Sequence, residues 1–156
     1  LVPFASLSMT DGSGAHLPWL QATPDPMTSA VWQTWIEINT RVAKDMDIRE
    51  GEVVRVESSN GSSIEALAYP HPGVPPDVVS IPIGQGHTDY GRFAKERGAN
   101  VLSILAPESD VETGALAWAS TRVHIKKTGR WIRLPKFEGS VPAFPAGEAE
   151  IIQITS

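Results

Sequence analysis

The sequence predicts a mostly β chain that closes as a barrel. Three observations carry this: six or seven short runs rich in β-branched and aromatic residues, a single clear helix, and connections too brief for repeated strand–helix–strand crossovers.

Residues 1–30 read as an irregular arm. Asp11-Gly12-Ser13-Gly14 and Pro18, Pro24 and Pro26 interrupt any period before a helix or strand can establish itself. An unstructured run of about 30 residues is uncommon inside a compact domain. The arm is therefore expected to pack on other parts of a longer parent chain, with Trp19 and Leu20 as contact residues. The chain begins Leu1-Val2-Pro3-Phe4, without Met or an export signal, and reads as a piece of that longer polypeptide.

The barrel is expected over residues 31–128. Thr34-Trp35-Ile36-Glu37-Ile38 forms its first strand, and Asn39 or Thr40 caps a short helix whose face carries Val42, Ala43 and Met46 and which stops at Gly51. The runs 52–57 and 63–69 flank Asn60-Gly61, a dipeptide suited to a tight primed turn, and so predict a hairpin. The Pro-rich stretch 70–77 predicts a loop, and residues 78–83 a strand. Residues 90–97 predict a helical turn or two, 101–105 a strand, and 115–126 a last strand in which Thr121, Val123 and Ile125 alternate with Arg122, His124 and Lys126. Residues 129–156 form an irregular C-terminal tail.

Composition narrows the function. A net charge of −5 argues against a surface that tracks nucleic-acid phosphates. Prolines interrupt every apolar run well short of the roughly 18 residues of a membrane span, so no direct membrane insertion is expected. With no cysteine, the chain has no disulfide, no thiolate zinc site, no cluster ligand of its own and no cysteine nucleophile.

No two of the four histidines stand at a helical metal-ligand spacing, no Gly-x-Ser-x-Gly elbow is present, and no Ser or Asp pairs with His at a recognisable spacing. Neither a metal ligand nor a catalytic residue is expected here. Carboxylate pairs such as Asp45 and Asp47, or Glu148 and Glu150, read as solvated faces. His16, His71 and His124 read as surface histidines, and Trp32, Trp35 and Trp118 as packing residues. The exception is His87 in Gly84-Gln85-Gly86-His87-Thr88-Asp89-Tyr90-Gly91-Arg92. It follows a strand directly, where glycines admit close approach of backbone to a ligand. The glycines do not match a nucleotide fingerprint, and a structural turn accounts for them equally well.

The run from Asn39 to Val56, the hairpin, Pro-Gly-Val-Pro-Pro-Asp-Val-Val-Ser-Ile-Pro at 72–82 and Gly-Gln-Gly-His at 84–87 occur in an order that resembles the C-terminal dinucleotide-binding domain of molybdopterin oxidoreductases, over residues 9–127. The segments 11–21, 86–92 and 98–100 look most like iron-sulfur molybdoenzymes of the polysulfide and tetrathionate reductase type, and still more like the related subunit of alternative complex III, a quinol-oxidising assembly.

The resemblance implies a double-psi β-barrel with one or two short helices, as part of a respiratory electron-transfer subunit. It implies molybdopterin guanine dinucleotide in the reductases and a retained, cofactor-free scaffold in alternative complex III, and both alternatives stay open. The implied cofactor-binding residues are Gly84, Gln85, Gly86, His87, Thr88 and Asn100, joined by Gly14 and His16 from the 13–16 loop. Asp11 and Asp89 put negative charge where a pyrophosphate would lie, which favours a site without its ligand. The implied partners are other domains of the same subunit and iron-sulfur and membrane quinol-binding subunits, with the iron-sulfur clusters housed elsewhere in the parent. The implied location is bacterial, peripheral to the inner membrane on its periplasmic face. The competing reading is a stand-alone double-psi barrel acting as an interaction module, since fold alone does not fix function.

Overall fold

The computed structural model describes residues 1–137. The expected tail from 138 onward, with Glu148 and Glu150, lies outside the described residues.

Six strands form one open mixed sheet: β1 (Val2–Ala5), β2 (Trp35–Asn39), β3 (Glu52–Ser58), β4 (Ser63–His71), β5 (Val79–Ile83) and β6 (Val123–Trp131), in the order β1-β5-β2-β4-β3-β6. Two pairs, β1 with β5 and β2 with β4, run parallel; the other pairings are antiparallel. Two short helices, α1 (Pro18–Gln21) and α2 (Thr40–Asp45), and a 3-10 turn (Val101–Ile104) complete the elements of the described residues. The mostly β character expected from the sequence is what the chain adopts.

Successive strand residues face opposite sides of a sheet, and here both sides are covered. Ile36, Ile38, Val54, Val56, Ala66 and Ala68 pack on one face with Ile81, Val101 and Ile104. The alternate positions Trp35, Val53 and Leu67 pack on the other with Ala30 and Leu134. Each fully buried isoleucine contributes about 1.5–3 kcal/mol over an exposed one. The second cluster draws Leu134 from beyond the last strand, so the tail is ordered there. The amide of Val31 donates to the Pro135 carbonyl at 3.0 Å, and that of Phe137 to Ser29 at 2.8 Å.

Local chemistry explains the elements. Asn39 Oδ1 accepts from the amides of Arg41 (2.9 Å) and Val42 (3.4 Å), which caps α2. The hairpin forms as expected, but its turn is different. Only Gly61 has positive φ (87°), and its amide donates to the Ser58 carbonyl at 3.0 Å, giving a three-residue loop ending in a left-handed glycine and not a primed turn.

Several expectations need correction. The first thirty residues contain β1 and α1; Pro3 is tolerated because β1 is an edge strand with no partner beyond it. Pro70, expected in a loop, lies in β4 opposite Ile38, past the last β3 pairing at Leu67, so its missing N–H leaves no ladder bond unmade. Residues 90–97 form turns and no helix, with Gly91 and Glu96 at positive φ. Residues 101–104 form a 3-10 turn in place of a strand, because Asn100 Oδ1 accepts from Leu102 N at 3.1 Å and the buried Val101 and Ile104 are three apart. The last strand is shifted to Val123–Trp131, with a bulge opposite Glu52–Val54. Trp118 is exposed, and among the described tryptophans only Trp35 is fully buried.

Candidate functional site

The parallel register of β1 with β5, Ala5 opposite Ile83, sends both chains off the same end of the sheet. The loop after β1 and the Gly84–Thr88 loop after β5 are therefore neighbours. They touch through glycines: a Cβ on Gly12 would lie 3.2 Å from Gly84 Cα and 2.9 Å from His87 Nε2. A third segment, 97–102, closes over them. The Gly86 amide donates to the Arg97 carbonyl at 2.7 Å, and a Cβ on Gly86 would fall 2.0 Å from the Asn100 nitrogen, so only glycine fits. From β2's entry, the buried Thr34 hydroxyl holds both the amide (2.9 Å) and the carbonyl (3.3 Å) of Ala99.

The three segments enclose a cleft of about 280 Å³ lined by Asp11, Gly84, Gln85, Gly86, His87, Thr88, Asp89, Asn100 and Leu102. Six of the eight residues expected at the site thus come together. Gly14 and His16 do not line it. Gly14 packs under Leu20, where a Cβ would meet Cδ1 at 2.6 Å, and His16 lies edge-on to Tyr90 with ring centroids 4.9 Å apart.

The six play different parts. The Gly86 amide, engaged by Arg97, is not a free donor. Gln85 is buried and its side-chain amide is paired with that of Gln21 at 2.7 and 3.3 Å. His87 stacks on Tyr90 at 5.1 Å, while the Tyr90 hydroxyl donates to the Ser13 carbonyl at 3.1 Å and so ties the two loops across the cleft. Neither ring nitrogen of His87 has a hydrogen-bond partner among the described residues, and its Nε2 is shut off from solvent, an uncompensated arrangement that costs about 1–3 kcal/mol. Asn100 uses Oδ1 for its cap, which leaves its Nδ2 donors for another group.

Charge sets the cleft's character. Asp11 Oδ1 accepts from the Ser13 amide at 3.0 Å and the Thr10 hydroxyl at 3.2 Å. The Ser13 amide first, then the Ser13 and Thr10 hydroxyls, holds this carboxyl below the usual aspartate value. Asp89 adds a second carboxylate, and the lining contains no lysine or arginine. The nearby guanidinium groups lie on aromatic rings instead: Arg92 on Phe93 at 4.6 Å and Arg97 on Trp32 at 5.3 Å. Among the described residues no three His, Asp or Glu side chains gather where a metal could sit.

Besides the six expected residues, Asp11, Asp89 and Leu102 line the cleft, and Gln21 braces Gln85 from beneath. In the sequence Asp11 stands out only as an electrostatic obstacle, although Asp-Gly-Ser is a turn-forming signal that fixes one carboxylate oxygen. Gln21 gave no signal, because its contact with Gln85 spans 64 residues.

Residues 19–116, well over half of the chain, match the family described as Molydopterin dinucleotide binding domain. The chain belongs to this family. Among curated relatives, this molybdopterin dinucleotide binding domain is 27% identical over 127 residues to the molybdopterin-binding-like subunit of menaquinone reductase from Nitratidesulfovibrio vulgaris, covering 81% of this chain and 18% of that subunit. It is 37% identical over 90 residues to the molybdopterin-containing subunit of arsenate respiratory reductase from Chrysiogenes arsenatis, covering 53% of this chain and 10% of that one. Among solved structures it is similar in fold to acetylene hydratase from Pelobacter acetylenicus, with a TM-score of 0.60 and 18% identity, over 81% of this chain and 18% of that one. The chain thus spans less than a fifth of each relative.

Proposed function

We propose that this domain is the C-terminal part of a respiratory oxidoreductase subunit and holds one molybdopterin dinucleotide in the cleft between the Asp11, Gly84–Thr88 and Asn100 segments. The observation that carries this reading is the cleft itself, which combines a histidine whose ring nitrogens have no hydrogen-bond partner among the described residues, the spare Nδ2 donors of Asn100 and close glycine backbones in one place. These residues fit a polar heterocycle. His87, Thr88 and Asn100 would hold it, with Gln85 fixed beneath them by Gln21. When bound, the cofactor supplies the redox chemistry; the chain's own residues supply binding and orientation.

The fold in this reading is a double-psi β-barrel. Support comes from the crossed strand order, in which β1 lies parallel to β5 and β2 parallel to β4 across long connections. The likeness to menaquinone reductase supports a quinone-linked complex. In that complex the domain packs on the rest of its subunit, alongside iron-sulfur and membrane quinone-reactive partners, on the periplasmic face of a bacterial inner membrane. Iron-sulfur clusters, in this reading, would be housed in other parts of the complex and would supply its electron transfer.

A second reading, a scaffold that has lost its cofactor, is favoured by one feature: the lining offers two carboxylates and no cation to a pyrophosphate. Molybdenum, tungsten, iron and oxidatively released pterin, measured on the gently purified parent complex, separate the two. Stoichiometric pterin with molybdenum or tungsten is the expected result. Iron without pterin or either metal would establish the scaffold instead.

A further inference from the structure

A cleft rimmed with carboxylates is a poor place for a pyrophosphate, yet its groups are not random. Asp11 Oδ1 accepts from the Ser13 amide and the Thr10 hydroxyl, with the Ser13 hydroxyl also beside the carboxyl, so the turn orients the side chain and Oδ2 is the remaining acceptor. Across the cleft, Asn100 offers Nδ2 donors, because Oδ1 is held by its cap. Thr88 adds a hydroxyl without a partner among the described residues. An anionic acceptor on one side and amide donors on the other make a complementary frame for a ring that presents donors and an acceptor along one edge. A 2-amino-4-oxopyrimidine ring does this: its amino group and ring N–H donate and its carbonyl accepts. Both the pterin and the guanine base of a pterin guanine dinucleotide carry that edge.

Resting on the cofactor-holding reading above, we propose that Asp11 reads the 2-amino-4-oxopyrimidine edge of the bound cofactor and thereby selects for the amino group, with Asn100 donating to the carbonyl side. The cleft is then a heterocycle site, and the pyrophosphate charge is met elsewhere in the parent subunit. The acidity of the lining, which disfavours one end of the ligand, becomes the reason that the other end binds there. Asp11 suits this role better than Asp89, whose side chain has no hydrogen bond among the described residues to hold it in place.

The test compares probes in which oxygen replaces the amino group, in buffer acidic enough that the added ring N–H of the dioxo compounds stays protonated. Full-length subunit is made in a host that produces no molybdopterin, and the affinities of 6-methylpterin and 6-methyllumazine, and of guanosine and xanthosine monophosphates, are measured by fluorescence quenching. In each pair the second compound has oxygen in place of the amino group. Wild type is expected to favour the amino compound by about 10-fold or more, the effect of one charge-assisted hydrogen bond. Asp11→Asn keeps Oδ1 for the Ser13 amide but turns a donor toward the ligand, so the preference should reverse. Asp11→Ser keeps a turn-forming side chain without the second acceptor and should bring the ratio near one. The pattern in the pterin pair identifies the pterin ring as the group recognised; the pattern in the nucleotide pair identifies guanine. Binding with a ratio near one in wild type, or a ratio that Asp11→Asn leaves unchanged, overturns the proposal while leaving the cofactor-holding reading intact. Failure of all four probes to bind also overturns it, and together with a parent complex free of pterin removes the reading on which it rests. Melting temperatures of the variants within a few degrees of wild type confirm that the ratios are read on folded protein.

Discussion

Gln21 and Gln85, 64 residues apart, exchange side-chain hydrogen bonds of 2.7 and 3.3 Å while both are buried. Gln21 also donates to the Ala15 carbonyl at 2.9 Å, so one amide pair ties the N-terminal arm to the loop that lines the cleft. Replacing one partner alone leaves a buried amide unsatisfied, at about 1–3 kcal/mol. In the intact subunit, Gln85→Leu is expected to speed hydrogen exchange at residues 15–21 and 84–88 by about 10-fold or more. Gln21→Leu with Gln85→Leu should recover part of that protection, because two apolar side chains replace two paired polar ones. Additive effects in the double variant would show that the pair is not coupled.

Gly86 and Gly61 share a φ of 87° but differ in surroundings. A Cβ on Gly61 meets nothing within 4 Å, whereas one on Gly86 would lie 2.0 Å from backbone nitrogen of Asn100. Gly61→Ala therefore isolates the conformational penalty, about 1 kcal/mol. Gly86→Ala adds forced displacement of the 98–100 segment and should cost about 2–4 kcal/mol. Thermal unfolding of the two variants in the same subunit checks this, and equal losses would mean that the cleft segment moves aside freely.

What the sequence made legible is what is local. Asn39 as a cap, the hairpin around Gly61 and the strand before Gly84 rest on contacts within a few residues. What it hid depends on partners distant in the chain. Strand β1 lies in an arm that reads as irregular from its glycines and prolines, and it is a strand because β5 lies beside it. The second half of strand β6, with Lys127 and Arg130 on an edge, falls outside the strand expected from the sequence and is a strand because β3 pairs with it; such charges are how edge strands avoid further pairing. The same holds for the site. The glycine-rich run announced itself, but Asp11 joins it only through the parallel register of β1 and β5, and Gly14 and His16, near in sequence, pack against Leu20 and Tyr90 without lining the cleft.

Acid should weaken this domain by a specific route. Hydrogen bonds from Lys127 to Asp47, Lys126 to Glu57 and Arg130 to Glu65, and from the Thr113 amide to Asp110, hold all four carboxyls below their ordinary values. A carboxylate whose folded pKa is depressed contributes stability above its unfolded pKa and loses it as pH falls through the folded value. Unfolding temperature should therefore be level through neutral pH and decline below about pH 4.5. Lys127, raised chiefly by its bond to Asp47, works in the opposite sense: its contribution is complete below the ordinary lysine value of 10.5 and fades only above it. Because these groups are largely exposed, about 1 M salt should shrink the acid dependence of the three ion-paired carboxylates more than that of Asp110, whose partner is backbone. An acid dependence unchanged by salt would assign it to other groups.

His87, Thr88 and Asn100 are the cleft side chains with polar atoms left over among the described residues, and His87 and Asn100 act on the ligand differently from the residues that shape the cleft. His87→Ala removes a ring that stacks on Tyr90 and whose nitrogens have no partner among the described residues, so the protein itself loses little polar stabilisation. Asn100→Ala removes the 3-10 cap at Leu102 as well as the free carboxamide, at about 1 kcal/mol. Asn100→Asp separates these roles, since it keeps Oδ1 for the cap and replaces the donor by an acceptor. In a cofactor-bearing parent, His87→Ala with Asn100→Ala should lower pterin content per subunit while the unfolding temperature falls by only a few degrees. Asn100→Asp should lower pterin content with no loss of the cap. Pterin released after oxidation and quantified by fluorescence provides the measure. Undiminished pterin in both variants would remove His87 and Asn100 from the binding site and leave their convergence on the cleft as a matter of loop packing alone.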